Sequence, residues 1–293
     1  VRRALAAAAI LIASACGEQE TATSAPPPAP AASPAPAASQ PVRASALARV
    51  EVLDAPVTPP PSSLKLDPSY TKCADAAGIP VVSSAKVADE ALLVARTIVL
   101  RMLVKRADVK KALVDAHLRV VVMSRGERIP DVPELRGIER TTPSGGGTWY
   151  ARRGVLSTTA PTPICVCAEE NVLREERDRL RGESGLVHEM AHAIDVLALR
   201  RLPGSTFRRD LGAAYARAMK AGLWQKTYAA TNQEEYWAEG ATDWFDANIA
   251  RDKADGVFNE VRTREQLREY DLALYNLLAD VFTSDDLGLS TGK

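Results

Sequence analysis

Histidine is scarce in this chain, three in 293 residues, and cysteine nearly so, with four. Aromatic side chains are also few at 5%, while alanine is abundant, a balance that favours helix over sheet. Excess charge is missing altogether: 37 Lys and Arg face 37 Asp and Glu. Nothing therefore supplies the basic footprint that phosphate binding needs, and a general nucleic-acid binder is excluded. No internal repeat is visible, and after the first residues no apolar run is long enough to cross a bilayer.

What is present starts with an export signal over residues 1–16. Arg2 and Arg3 form a basic head, Ala4 to Ile12 a short apolar run, and Ala13-Ser14-Ala15-Cys16 a small-residue cleavage site. The last four residues resemble a bacterial lipobox, with Cys16 as the lipidated first mature residue and Ala13 where leucine is usual. The alternative is an ordinary secretory signal with a free cysteine. Either way the expectation is an exported protein, anchored as a lipoprotein on the periplasmic or cell-surface side or secreted, meeting a membrane only through an N-terminal lipid. Residues 17–63, rich in Pro and Ala, bury too little apolar surface to offset the entropy of ordering and read as a disordered, semi-stiff tether. A short helix is expected over 44–54. Residues 64–293 are globular in composition and long enough for one core.

Within that domain, periodicity predicts helices over 89–105, over 108–116 with Asp108 as its cap, and over 184–199, 206–221, 232–250 and 264–282. Strands are expected over 79–83, 118–123, 149–155 and 164–166. Residues 141–148 read as a loop, and 173–180 as a turn or short helix. The fold class is α+β, with a small sheet in the first half and helices in the second.

Two of the three histidines fall in His188-Glu189-Met190-Ala191-His192. Residues four apart in a helix share a face, so both imidazoles can hold one Zn²⁺, each at about 2.0–2.1 Å. Glu189, next to the first ligand, is placed to reach a water rather than the metal and to act as general base. Ser184 is a good N-cap, and the flanking apolar residues bury the helix. The bland alternative is two histidines on a helix face with Glu189 in solvent. The third histidine, His117, precedes a strand without ligand-like neighbours and reads as structural.

A catalytic zinc takes three protein ligands as a rule. Ala198 stands where a metzincin carries its third histidine, and no Gly-Thr-x-Asp stretch supplies an aspzincin ligand. Glu235, Glu239 and Asp243 recur every four residues on one face of an otherwise hydrophobic helix, where like charges repel unless a cation compensates. A solvated acidic face is the other reading.

Together, the motif His188-Glu189-Met190-Ala191-His192-Ala193-Ile194-Asp195 and the block Tyr228 through Glu239 resemble the catalytic domain of anthrax lethal factor and its bacterial relatives, gluzincin-type zinc metallopeptidases. The stretch from Gly154 to Ser184 is similar to secreted bacterial members of that group. The resemblance implies a zincin-like fold, one Zn²⁺ bound by His188, His192 and Glu235, and Glu189 as the general base. It implies Tyr228 as an oxyanion donor and Glu239 as support behind a ligand, with Glu234 one place off the ligand position. Asp195, one turn after His192, is a candidate to hydrogen-bond a ligand imidazole, or a plain helix residue.

The expected activity is endopeptidase cleavage of a peptide or protein substrate, with the strand over 149–155 pairing to an extended substrate. The alternative is an exported lipoprotein whose structural or degenerate zinc site serves as a binding module. A zinc hydrolase of another amide, as in a cell wall, ranks below peptide hydrolysis because no glycan-binding module is recognisable. In an oxidising compartment Cys73, Cys165 and Cys167 cannot all pair. Cys165 and Cys167 point to one side of a strand, so the expected bridge joins Cys73 to one of them. The other reading leaves all three reduced and buried.

Overall fold

The computed structural model describes Leu11–Ile12 and residues 55–143, 146–180, 182–285 and 287. Cys16, the tether up to residue 54 and the helix expected over 44–54 lie outside the described residues.

Six strands form one sheet in the order β1-β5-β6-β4-β3-β2: β1 is Leu11–Ile12, β2 Lys72–Ala76, β3 Ile79–Ser83, β4 Arg119–Met123, β5 Val155–Ser157 and β6 Ile164–Ala168. The strands β3, β4 and β6 run parallel, while β2 and β5 pair antiparallel to their neighbours. The strand β2 carries charged Lys72 and Asp75 and shows no β-branched run, so sequence pattern alone misses it. It forms through the hairpin: Ala77 and Gly78 both take positive φ, 55° and 95°, the two-residue turn that suits the strand twist. Asp75 steadies that turn by accepting from the Gly78 N–H at 3.1 Å.

Alternation along each strand divides the buried side chains between the sheet's faces. Val120, Val122, Cys165 and Cys167 join the core on the helical side. Val121, Met123, Ile164 and Val166 join a second core with Tyr70, Cys73 and Trp149. This division overturns the expected disulfide. Cys73 belongs to the face opposite Cys165 and Cys167, and all three thiols are free and buried.

Helices α1 (Asp89–Leu103), α4 (Gly185–Ala193) and α5 (Phe207–Ala221) lie close to expectation, whereas α6 (Gln233–Trp244) ends well short of the expected 250; the short turn α3 (Glu169–Val172) follows β6. Helix α2 spans Ala107–Asp115, and Asp108 is not its cap: it sits in the first turn with its carboxylate on Arg106. Beyond α4 the chain widens into a π-helical stretch, Ile194–Leu199. The strand expected over 149–155 is a turn around Trp149, whose indole N–H bonds Thr141 Oγ1 at 2.9 Å; pairing begins only at Val155.

The helix expected over 264–282 is two, α7 (Arg264–Tyr270) and α8 (Leu272–Val281), broken at Asp271. Asp271 accepts from the Leu274 N–H, the Trp224 indole and the Tyr236 hydroxyl, so three tertiary and capping bonds replace helix continuity. Residues 55–63 also depart from the tether reading, because Thr58 exchanges two main-chain hydrogen bonds with Cys73 at 3.0 and 2.7 Å. Among the described residues, no helix is long and apolar enough to cross a membrane.

Candidate metal centre

Helix α4 presents His188, Glu189 and His192, all fully buried. Its start is set by Ser184, which accepts from the Val187 N–H at 3.4 Å. One helical turn brings the two imidazoles edge to face, with Nε2 atoms 3.1 Å apart. Glu235 comes from the first turn of α6, fixed by Asn232, whose Oδ1 accepts the Glu235 N–H at 2.8 Å. The Trp237 indole donates to the Ala191 carbonyl at 2.9 Å and holds α6 against α4 in this register. Glu235 Oε2 then lies 3.2 Å from each imidazole Nε2.

These three atoms form a nearly equilateral triangle. Tetrahedral bonds of about 2.0–2.1 Å place ligand atoms roughly 3.3–3.4 Å apart, so the triangle fits zinc with a few tenths of an ångström of relaxation. The donor set, two imidazoles and one carboxylate, is also one that zinc favours. Burial raises the proton affinity of Glu235, but His192 and His188 outweigh it and hold the carboxyl below its ordinary range.

Glu189 faces the same space. Neither of its buried carboxylate oxygens has a side-chain partner; His188, His192 and the Leu156 backbone amide favour its charged form, but burial outweighs them and pushes the carboxyl above the ordinary range. An orphaned buried carboxylate is costly and calls for a functional explanation. Gly154, just before β5, makes room for it.

Tyr228 sits in a short 3-10 turn, Tyr228–Ala230, tied down by its N–H to the Val257 carbonyl at 2.8 Å. Its ring lies nearly parallel to that of His188, centroids 6.3 Å apart. Its hydroxyl donates to Glu235 Oε1 at 2.9 Å, on the oxygen that faces away from the histidines. To serve an incoming oxyanion the hydroxyl has to exchange that partner.

Behind His188 is a buried acidic group. Its Nδ1 lies 3.2 Å from Glu239 Oε1 and 3.7 Å from Glu183 Oε1. An imidazole that gives Nε2 to a metal carries its proton on Nδ1; both carboxylates lie near that nitrogen, though neither completes a hydrogen bond to it. Asn248 bridges Glu239 and Asp243, at 3.3 and 2.8 Å. Burial, and for Glu183 also the nearby Glu239, pushes the Glu183 and Asp243 carboxyls upward.

Asp195 does not serve an imidazole. Its carboxylate is taken by Arg200, 2.5 Å from Oδ1 to Nε, and Arg200 also binds Glu234 at 2.9 Å. His117 ends α2 with φ of 57° and lines a cavity with Asp115 and Arg119, apart from the metal centre. Sequence reasoning gave no role to Glu183 or Gly154. Glu183 precedes the helix cap, so no periodicity connects it to His188, and Gly154 acts through its missing side chain.

No protein-family model matches the chain, and no protein of curated function does. Among solved structures, the PRO-PRO endopeptidase PPEP-2 from Paenibacillus alvei is similar at 19% sequence identity and a TM-score of 0.47, over 69% of this chain and 97% of that one. The resemblance to the lethal factor group thus rests on the residues of the two motif blocks.

Proposed function

We propose that the protein is a zinc-dependent endopeptidase. The observation that carries this reading is Glu189: a fully buried carboxylate with no side-chain hydrogen-bond partner, on the residue between two candidate zinc ligands. A site built only to bind metal has no use for it.

His188, His192 and Glu235 would hold one Zn²⁺. Bound there, the ion would supply Lewis-acid polarisation of a carbonyl and make water a better nucleophile near neutral pH. Glu189 accepts the proton of the attacking water at its carboxylate and hands it to the leaving amine. Tyr228 turns its hydroxyl from Glu235 to the developing oxyanion. Glu239, 3.2 Å from His188 Nδ1, would accept its proton and fix the ring, while Glu183 at 3.7 Å adds negative charge beside it. Beside the site, the outer edge of β5 already pairs with an extended segment of this chain, β1, in antiparallel register. That supports reading the edge as the place where a substrate backbone lies. The export signal and the Pro-rich stretch after it suit an enzyme held outside the cytoplasm, tethered through a lipidated Cys16.

The test is cleavage of a denatured protein mixture by the zinc-loaded protein, read as new termini by mass spectrometry, beside Glu189→Gln. Expected are new termini with wild type, and with the variant full zinc content and a loss of about 100-fold or more. Stoichiometric zinc without any cleavage by wild type would return the protein to the binding-module reading.

A further inference from the structure

Charge is balanced over the whole chain, yet arginine is concentrated at one place. A cavity of about 440 Å³ is lined by Arg125, Arg128, Arg152, Arg153, Arg177 and Arg179, with Glu170 and Asp178 as the acidic residues among the described part of its wall. Three segments meet there: the turn after β4, the stretch leading into β5, and the turn between α3 and α4. The cavity's inner wall includes Gly185 at the start of α4 and Gly154. Gly154 also touches the metal centre, since a Cβ added to it would lie 3.1 Å from Glu189 Oε1. The cavity is therefore one residue away from the carboxylate assigned as general base.

The two acidic residues are already engaged. Glu170 takes Arg153 in a two-pronged pair at 2.6 and 2.9 Å. Asp178 accepts from Asn171 at 2.8 Å and from the Leu180 N–H at 3.1 Å. Arg125 is held from behind by Glu175 and Glu169. Among the described residues the Arg128 guanidinium donates to the Arg125 and Glu127 carbonyls, at 3.2 and 3.3 Å, and its backbone N–H to Asp131 Oδ2. Neither Arg128 nor Arg177 closes an ion pair among the described residues, although the Arg177 charge is felt by Glu175. Buried Arg152 lies on the side of Tyr228, whose hydroxyl its charge influences. The walls are thus pre-set by internal pairs, and the rim keeps guanidinium groups available. A guanidinium fork matches a carboxylate in two parallel bonds.

We propose that this arginine-lined cavity beside Gly154 is a substrate subsite that takes an acidic side chain, Asp or Glu, of the peptide being cleaved. The inference rests on the peptidase reading for its use in catalysis. The binding it describes is separable from that reading. An extended chain along the edge of β5 passes Gly154, so its side chains on that flank enter the cavity within a few residues of the reacting bond.

Two measurements test it, both on the zinc-loaded protein from Cys16 onward, which lacks the β1 segment that pairs with the edge of β5. In the first, cleavage sites in a proteome-derived peptide library are profiled for wild type and for Arg128→Glu combined with Arg177→Glu. Expected is enrichment of Asp or Glu at one fixed position near the cut bond, and a fall of the acidic-to-neutral cleavage ratio by about 10-fold or more in the double variant. No acidic enrichment, or enrichment unchanged in the variant, overturns the proposal while leaving the peptidase intact.

In the second, Glu189→Gln protein is titrated with fluorescent peptides that differ only in Glu against Gln. The Glu peptide is expected to bind about 10-fold tighter or more at low salt, and the preference to vanish with both reversals. Equal binding of the two peptides, or a preference that survives the reversals, overturns the proposal even if no hydrolysis is ever seen. Zinc content and thermal unfolding confirm that the double variant is folded.

Discussion

Gly154 and Glu189 touch across the sheet: a Cβ on Gly154 would sit 3.1 Å from Glu189 Oε1 and 3.5 Å from the Val166 carbonyl. The glycine is there for space and not for backbone freedom, because its φ is not in the left-handed region. Gly154→Ala should then displace the Glu189 carboxylate by a few tenths of an ångström while leaving the histidines in place. The expected outcome is a loss of peptide hydrolysis of about 10-fold or more with unchanged zinc stoichiometry. A fully active variant would mean that Glu189 tolerates displacement, against its assigned role.

Glu235 completes the ligand triangle, so Glu235→Ala should weaken zinc binding by more than the roughly 10–100-fold that losing a supporting partner costs. Competition against a chromophoric chelator measures it. Affinity equal to wild type would place the third ligand elsewhere.

Glu183 and Glu239 both face His188 Nδ1, and each is nearly fully buried. Replacing either by Gln keeps the shape and removes the charge. Zinc affinity should fall by about 10–100-fold in each, with a smaller effect for Glu183, whose oxygen is the more distant. Equal affinities in all three proteins would reduce these carboxylates to packing.

Zinc removal should lower stability. Without the ion, Glu189, Glu235, Glu183 and Glu239 share a buried space with two imidazoles, relieved by the Tyr228 hydroxyl on Glu235 and the Asn248 amide on Glu239. Such crowding of ionisable groups is costly unless they are paired. Chelation is expected to lower the thermal midpoint by several degrees, since about 1 kcal/mol corresponds to about 2–4 °C in a domain of this size. Added zinc should restore it, and Glu235→Ala should be insensitive to the chelator.

Asp271 tests the fold independently of the site. It caps α8 and accepts from Trp224 and Tyr236, at 3.1, 3.0 and 2.5 Å. Asp271→Ala leaves an indole and a phenol unsatisfied and should destabilise by about 2–4 kcal/mol. Denaturant unfolding checks this, and zinc stoichiometry of the surviving folded fraction should be unchanged.

Local sequence determined a good deal of this protein. The four-residue spacing of His188 and His192 gives a shared helix face whatever the surrounding fold, because helix geometry is local. The same holds for Glu235 and Glu239, for the caps at Ser184 and Asn232, and for the apolar run of β4. Long-range arrangement decided the rest. Strand β2 exists through pairing with β3, which its own residues do not announce. The helix over 264–282 breaks because Asp271 gains distant partners, a gain invisible to periodicity. Cys73 is kept from Cys165 and Cys167 by the sheet lying between its two faces. Asp195 was lost to Arg200, five residues on, which competes with an imidazole for the same carboxylate. Glu183, Gly154 and the arginine cavity come from separate stretches of chain, and only packing brings them to Glu189. Spacing along one helix is written in the sequence, whereas nearness between elements depends on the free energy of the whole core.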